Sequence, residues 1–90
     1  IFTNGVWAHY VVTWDGTFSG TPVKWWKNGV ALSLTTSAAG SAKTDAANDL
    51  GIGNNASGGS GGLLGLLDDV RVYNRVLSAD EIRRLYMDNY

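Results

Sequence analysis

The chain of 90 residues has no cysteine, one proline and one histidine, and its apolar residues are dispersed. Without cysteine there is neither a disulfide framework nor a thiolate metal site. Because a membrane-spanning helix needs about 20 consecutive apolar residues, no membrane insertion is expected. The charges nearly balance, with seven basic and eight acidic side chains. Nucleic-acid affinity rests on neutralising many phosphates, so no nucleic-acid partner is expected either.

Glycine and aromatic residues are plentiful, with 12 Gly, four Trp and four Tyr. The length allows one domain, residues 1–90, with a small core. The run from Trp7 to Trp14 is rich in aromatic and β-branched residues, which indicates a strand. Its alternation places Tyr10, Val12 and Trp14 on the more apolar face, which is expected to point to the core, with Trp7 on the opposite face.

A β-hairpin is predicted around Asn28-Gly29, because this dipeptide tolerates the positive φ angles of a two-residue type I′ turn. It joins a strand at about 22–27 to one at about 30–35. Two further strands are predicted, at 50–54 and at about 63–73. Ser78 and Glu81 have the spacing of a capping box, so a short C-terminal helix is expected to follow. Strands without crossover helices indicate an all-β fold, an antiparallel sandwich or jelly roll with one helix.

Four blocks of the sequence resemble, in order, the laminin-G-like modules of the concanavalin A-like lectin/glucanase superfamily. They are Trp7–Gly16, Val23–Gly29, Leu50–Asn54 and Gly65–Ile82. The resemblance is to the C-terminal half of that module. Since the family packs two sheets face to face, half a sandwich leaves apolar faces and edges uncovered. We therefore expect a homo-oligomer, or a complementing half-domain supplied from elsewhere.

Asp68 is the candidate metal ligand. It interrupts the apolar face of the strand predicted at 63–73, and a buried carboxylate needs a compensating partner. The resemblance implies a structural Ca²⁺ held by an Asp at this point together with backbone carbonyls. The alternative is that Asp68 accepts hydrogen bonds from backbone amides or pairs with Arg71, Arg75 or Lys24.

The tryptophans carry the prediction of a ligand site, because aromatic faces stack on the C–H faces of sugar rings. Trp25 and Trp26 are consecutive on a strand, so one of them is expected to face outward, and Trp7 is a second outward candidate. The alternative is that these side chains belong to the core or to an interface. Asn54 and Asn55 lie beside a glycine-rich loop and are candidates for binding sugar hydroxyls, although Asn beside Gly is also ordinary turn chemistry.

Catalysis is not expected. Retaining glycosidases need two carboxylates about 5 Å apart, and no Asp or Glu pair alternates along a predicted strand. The function predicted is a non-catalytic carbohydrate-binding or adhesion module with a glycan or cell-surface ligand. The resemblance implies an extracellular or cell-surface location. The alternatives are a self-assembling structural half-domain and, third, a fragment of a glycoside hydrolase.

Overall fold

The computed structural model describes residues 2–33, 47, 50–54 and 61–89. It contains strands β1 (Tyr10–Trp14), β2 (Val23–Lys27) and β3 (Val30–Ala31), and the helix α1 (Ala79–Asn89). The strands form one antiparallel sheet in the order β1-β2-β3. The chain divides into a first unit, residues 1–41 and 73–90, and a second unit, residues 42–72. The sheet and the helix belong to the first unit, and they confirm the predicted all-β class with one helix.

The hairpin between β2 and β3 forms where it was predicted. Asn28 and Gly29 both have positive φ angles, 51° and 77°, as a type I′ turn requires. β3 is shorter than predicted, since it ends at Ala31, although the Leu32 amide still donates to the Trp25 carbonyl at 2.9 Å. The predicted end of this strand lies outside the described residues.

The helix begins at the predicted capping box. The Glu81 amide donates to the Ser78 hydroxyl at 3.2 Å, and the Ser78 amide donates to a Glu81 carboxylate oxygen at 3.0 Å. These two bonds satisfy amides that the first turn of a helix would otherwise leave without partners. Ile82 and Leu77 are the buried hydrophobic side chains of the described residues, so the helix start is also the centre of the core.

The prediction of which β1 face points to the core was wrong. Val12 and Trp14 are 51% and 50% exposed, whereas Thr13, on the opposite face, is buried. The reason is the position of α1. The ring of His9, which precedes β1 and has the parity of Thr13, lies 6.1 Å from the ring of Tyr86 on α1. The face of β1 that packs against α1 is therefore the less apolar of its two faces.

The strands predicted at 50–54 and 63–73 do not form among the described residues. A strand requires a neighbour that accepts its backbone hydrogen bonds, and an alternating pattern cannot provide one. The Leu63 amide does reach the Gly53 carbonyl at 2.7 Å, but Asp69 takes a left-handed φ of 55°, which interrupts an extended segment. Without a neighbouring strand to pack against, the side chains of Leu64 and Leu66 are 102% and 78% exposed.

Among the described residues, no helix combines the length and the apolar character that a membrane-spanning segment requires.

Candidate functional site

The two consecutive tryptophans of β2 lie on opposite faces of the sheet. Trp25 is paired with Val12 and Trp26 with Val11. Directly paired residues of antiparallel strands project to the same face, so Trp25 shares its face with Val12. Both indoles are half-buried. The Trp26 indole nitrogen is buried and has no hydrogen-bond partner among the described residues, which marks Trp26 as a packing residue.

The exposed side of the sheet includes four apolar side chains on β1 and β2 that we call the aromatic face: Val12, Trp14, Val23 and Trp25. The register pairs Val12 with Trp25 and Trp14 with Val23, so the four side chains form two adjacent cross-strand pairs. Val12 and Trp14 are half exposed, and Val23 and Trp25 are half-buried. Trp14 was missed as a site residue because its face was assigned to the core.

The Trp14 ring is held in place by the turn that follows β1. Its indole N–H donates to the Thr17 carbonyl at 2.8 Å, and its ring meets the edge of Phe18 at a centroid distance of 5.4 Å and an angle of 71°. Thr17 is itself fixed, because its amide and hydroxyl donate to one Asp15 carboxylate oxygen at 2.9 and 2.6 Å. These bonds from Thr17 lower the pKa of Asp15. Trp14 is therefore a half-exposed aromatic side chain whose orientation is fixed by the turn that follows β1.

Polar groups border the aromatic face at the end opposite Trp14. Tyr10 and Lys27 are paired across β1 and β2, and the Lys27 ammonium lies 5.9 Å from the centre of the Tyr10 ring. Phe2 packs on the same ring at 4.7 Å. The face thus runs from an aromatic cluster with a cation at one end to the fixed Trp14 indole at the other.

Two of the other predicted ligand residues, Trp7 and Asn54, lie outside the strands of the sheet. Trp7 is 55% exposed, as predicted for an outward aromatic, and precedes β1. Asn54 is exposed and belongs to the second unit, where its amide nitrogen would lie 3.1 Å from a Cβ on Gly62. Asn54 therefore approaches the Gly62 backbone closely, as a turn residue does. Asn55 lies outside the described residues.

Asp68 is exposed, so the buried carboxylate that motivated a metal site is not found. The expected arginine partners are engaged elsewhere: Arg71 forms a two-pronged ion pair with Asp69 at 3.0 and 3.1 Å, and Arg75 pairs with Glu81. No three His, Cys, Asp or Glu side chains of the described residues come together as metal ligands. The predicted site combines Asp68 with backbone carbonyls, which is a different arrangement, so calcium binding stays a prediction.

The pair between Arg75 and Glu81 fixes the corner at which the chain enters α1. One guanidinium nitrogen donates to Glu81 at 2.8 Å and a second donates to the other carboxylate oxygen. The hydrogen bonds from Arg75, followed by that from the Ser78 amide, lower the pKa of Glu81 to about 2. The same contact raises the pKa of Arg75. The contact gives both Arg75 and Glu81 a structural role at the start of α1.

Comparison with known proteins gives two matches. A laminin G-type family model, described as the concanavalin A-like lectin/glucanases superfamily, matches residues 1–83. The crystal structure of an S-layer domain-containing protein from Clostridium thermocellum is similar, with a TM-score of 0.66 and 30% sequence identity. The match covers 96% of this chain and 42% of that one, so the chain spans less than half of its neighbour. A search of curated proteins finds no match. Because the family model matches nearly the whole length, the chain belongs to the laminin G-type family of the concanavalin A-like lectin/glucanases superfamily.

Proposed function

We propose that this chain is a non-catalytic carbohydrate-binding or adhesion module of a secreted or cell-surface protein. The observation that carries the proposal is the exposed, pre-oriented indole of Trp14 beside Trp25 on the aromatic face. The laminin G-type family and the S-layer neighbour support an extracellular or surface location.

The chemistry of the aromatic face fits a sugar chain. Apolar ring faces stack on the C–H groups of a pyranose, while hydroxyls at the rim need polar partners such as the Lys27 ammonium and the Tyr10 hydroxyl. A ring that is already fixed loses little conformational entropy when a ligand stacks on it. The hydrogen bond from Trp14 to Thr17 therefore favours binding, even though it makes no contact with the ligand.

The state of the carboxylates supports the non-catalytic part of the proposal. A glycosidase acid or nucleophile must be available to the substrate, and retaining enzymes need two such groups about 5 Å apart. Asp69 and Glu81 are instead held by Arg71 and Arg75, and Asp15 is occupied by Thr17. These three acidic side chains stabilise turns and the helix start.

The test is a glycan array followed by titration of the best glycan. Trp14→Ala should weaken binding at least tenfold, about 1.4 kcal/mol, because it removes the fixed stacking surface. Met87→Ala is the control, since Met87 is 63% exposed on α1, away from the aromatic face, and should leave the affinity unchanged. Circular dichroism confirms that both variants fold. The proposal fails if no glycan binds the wild-type chain, or if Trp14→Ala binds as the wild type does.

A further inference from the structure

The turn that follows β1 links the Trp14 indole to the Asp15 carboxylate through Thr17. The indole N–H donates to the Thr17 carbonyl at 2.8 Å. The Thr17 amide and hydroxyl both donate to the same oxygen, Asp15 Oδ1, at 2.9 and 2.6 Å. These bonds join residues that are at most three positions apart along the chain, so the linkage is complete within the turn itself.

Asp15 connects a fixed point of the sheet to a flexible part of the turn. Its amide donates to the carbonyl of Pro22 at 3.2 Å, and Pro22 is a buried residue that directly precedes β2. Gly16, between Asp15 and Thr17, has a φ of 85°, and a Cβ at this position would meet no atom within 4 Å. Because glycine has the widest conformational freedom and this one lies in open space, the bonds from Thr17 to the Asp15 carboxylate are what restrict the turn.

We propose that Asp15 is a positioning residue of the ligand site, which acts on the ligand through Thr17 and the Trp14 indole. Trp14 is 50% exposed, so packing covers only part of its side chain and hydrogen bonds must supply the rest of its order. A side chain that is ordered before binding loses less conformational entropy when a ligand stacks on it. The effect of Asp15 on affinity rests on the proposed function, whereas its effect on the order of the indole does not.

The geometry separates the position of the acceptor oxygen from the charge of the carboxylate. Both bonds from Thr17 end on one oxygen of Asp15, and an asparagine carboxamide offers an oxygen at the same place. Asp and Asn side chains both form this kind of hydrogen bond to the backbone two residues on. Asp15→Asn should therefore keep the Trp14 indole ordered, whereas Asp15→Ala should release it.

Nitrogen-15 relaxation of the indole N–H groups tests the proposal on the free chain. The Trp14 signal is identified by its loss in Trp14→Phe. Its order parameter should be about 0.85 in the wild type and in Asp15→Asn, and below about 0.6 in Asp15→Ala. Thr17→Val, which removes the hydroxyl bond and keeps the carbonyl, should lower it in the same direction, while Trp26 on the other face of the sheet stays unchanged. A wild-type value below about 0.6, a Trp14 value unchanged in Asp15→Ala and Thr17→Val, or an Asn variant as disordered as the Ala variant would overturn the proposal.

Titration with the best glycan from the array then tests the effect on affinity. Asp15→Ala should weaken binding by about threefold or more, because the indole must be ordered on binding. Asp88→Ala is the matched control, since it removes the same charge at an exposed position of α1 and should leave the affinity unchanged. In a Trp14→Ala background, Asp15→Ala should have no further effect, because Asp15 acts through the indole. An equal loss in both backgrounds would overturn the proposal. If no glycan binds the wild type, the proposed function fails, and the relaxation measurement alone decides the role of Asp15.

Discussion

Replacing Ile82 tests whether α1 holds the first unit together. Ile82 is fully buried, and with Leu77 it makes up the buried hydrophobic side chains among the described residues. Ile82→Ala removes three carbon atoms, which at about 0.8 kcal/mol each gives about 2.4 kcal/mol, and the cavity left behind adds to this loss. Alanine regains about 0.4 kcal/mol of helix propensity. We therefore expect the free energy of unfolding to fall by about 3 kcal/mol.

That loss is large for a chain of this size, because small domains are stable by about 5–15 kcal/mol in total. Ile82→Val, which removes one methyl group, should cost about 1 kcal/mol and remains measurable if the alanine variant does not fold. Met87→Ala is the control on the same helix, since Met87 is 63% exposed and should change stability by less than about 0.5 kcal/mol.

The assay is urea unfolding followed by far-UV circular dichroism and tryptophan fluorescence, with coincident curves as the check on two-state behaviour. The expected order of stability is wild type and Met87→Ala, then Ile82→Val, then Ile82→Ala. If Ile82→Ala lies within about 0.5 kcal/mol of Met87→Ala, the helix does not anchor the core and the reasoning is refuted.

Three further predictions concern the turn, the helix start and calcium. Gly29→Ala should cost about 1–2 kcal/mol in urea unfolding, because its φ of 77° disfavours a Cβ. A Cβ on Gly29 would meet Arg83 and Tyr86 of α1 at 3.4 Å, an ordinary contact distance. Gly20→Ala, with a φ of 71° and open space around its Cβ, should therefore cost the same, and a much larger loss at Gly29 would contradict this reasoning. The Arg75 contact that lowers the pKa of Glu81 from 4.5 to about 2 should give stability that is present above pH 4.5 and lost as the pH falls toward about 2. Glu81→Gln should remove this dependence in denaturation curves, and an unchanged pH profile would contradict the ion pair. If the predicted calcium site exists, titration calorimetry of the wild-type chain should give a calcium-dependent heat that Asp68→Ala abolishes, and an absence of heat in the wild type would end that prediction.

The features that sequence predicted correctly are those set by neighbouring residues. The Asn28-Gly29 turn follows from the positive φ angles that these two residues accept. The start of α1 follows from the hydroxyl of Ser78 and the carboxylate of Glu81, three residues apart. In both places the interacting atoms are close along the chain, so their types and spacing are sufficient information.

The candidate site was predicted in part. The prediction correctly noted that Trp25 and Trp26 face opposite ways, since alternation along a strand requires it. It overlooked Trp14, because the more apolar face of β1 was taken to be the buried one. It also expected Asp68 to be buried in a strand that does not form among the described residues.

By itself, therefore, the sequence determined the laminin G-type family, the hairpin and the helix start. Tertiary structure decided which face of β1 is covered and which alternating segments become strands. The physical reason is that burial and strand pairing depend on a partner distant in the chain. The Tyr86 ring beside His9 selects the covered face, and a segment such as 63–73 has the pattern of a strand but gains its hydrogen bonds only from a neighbour.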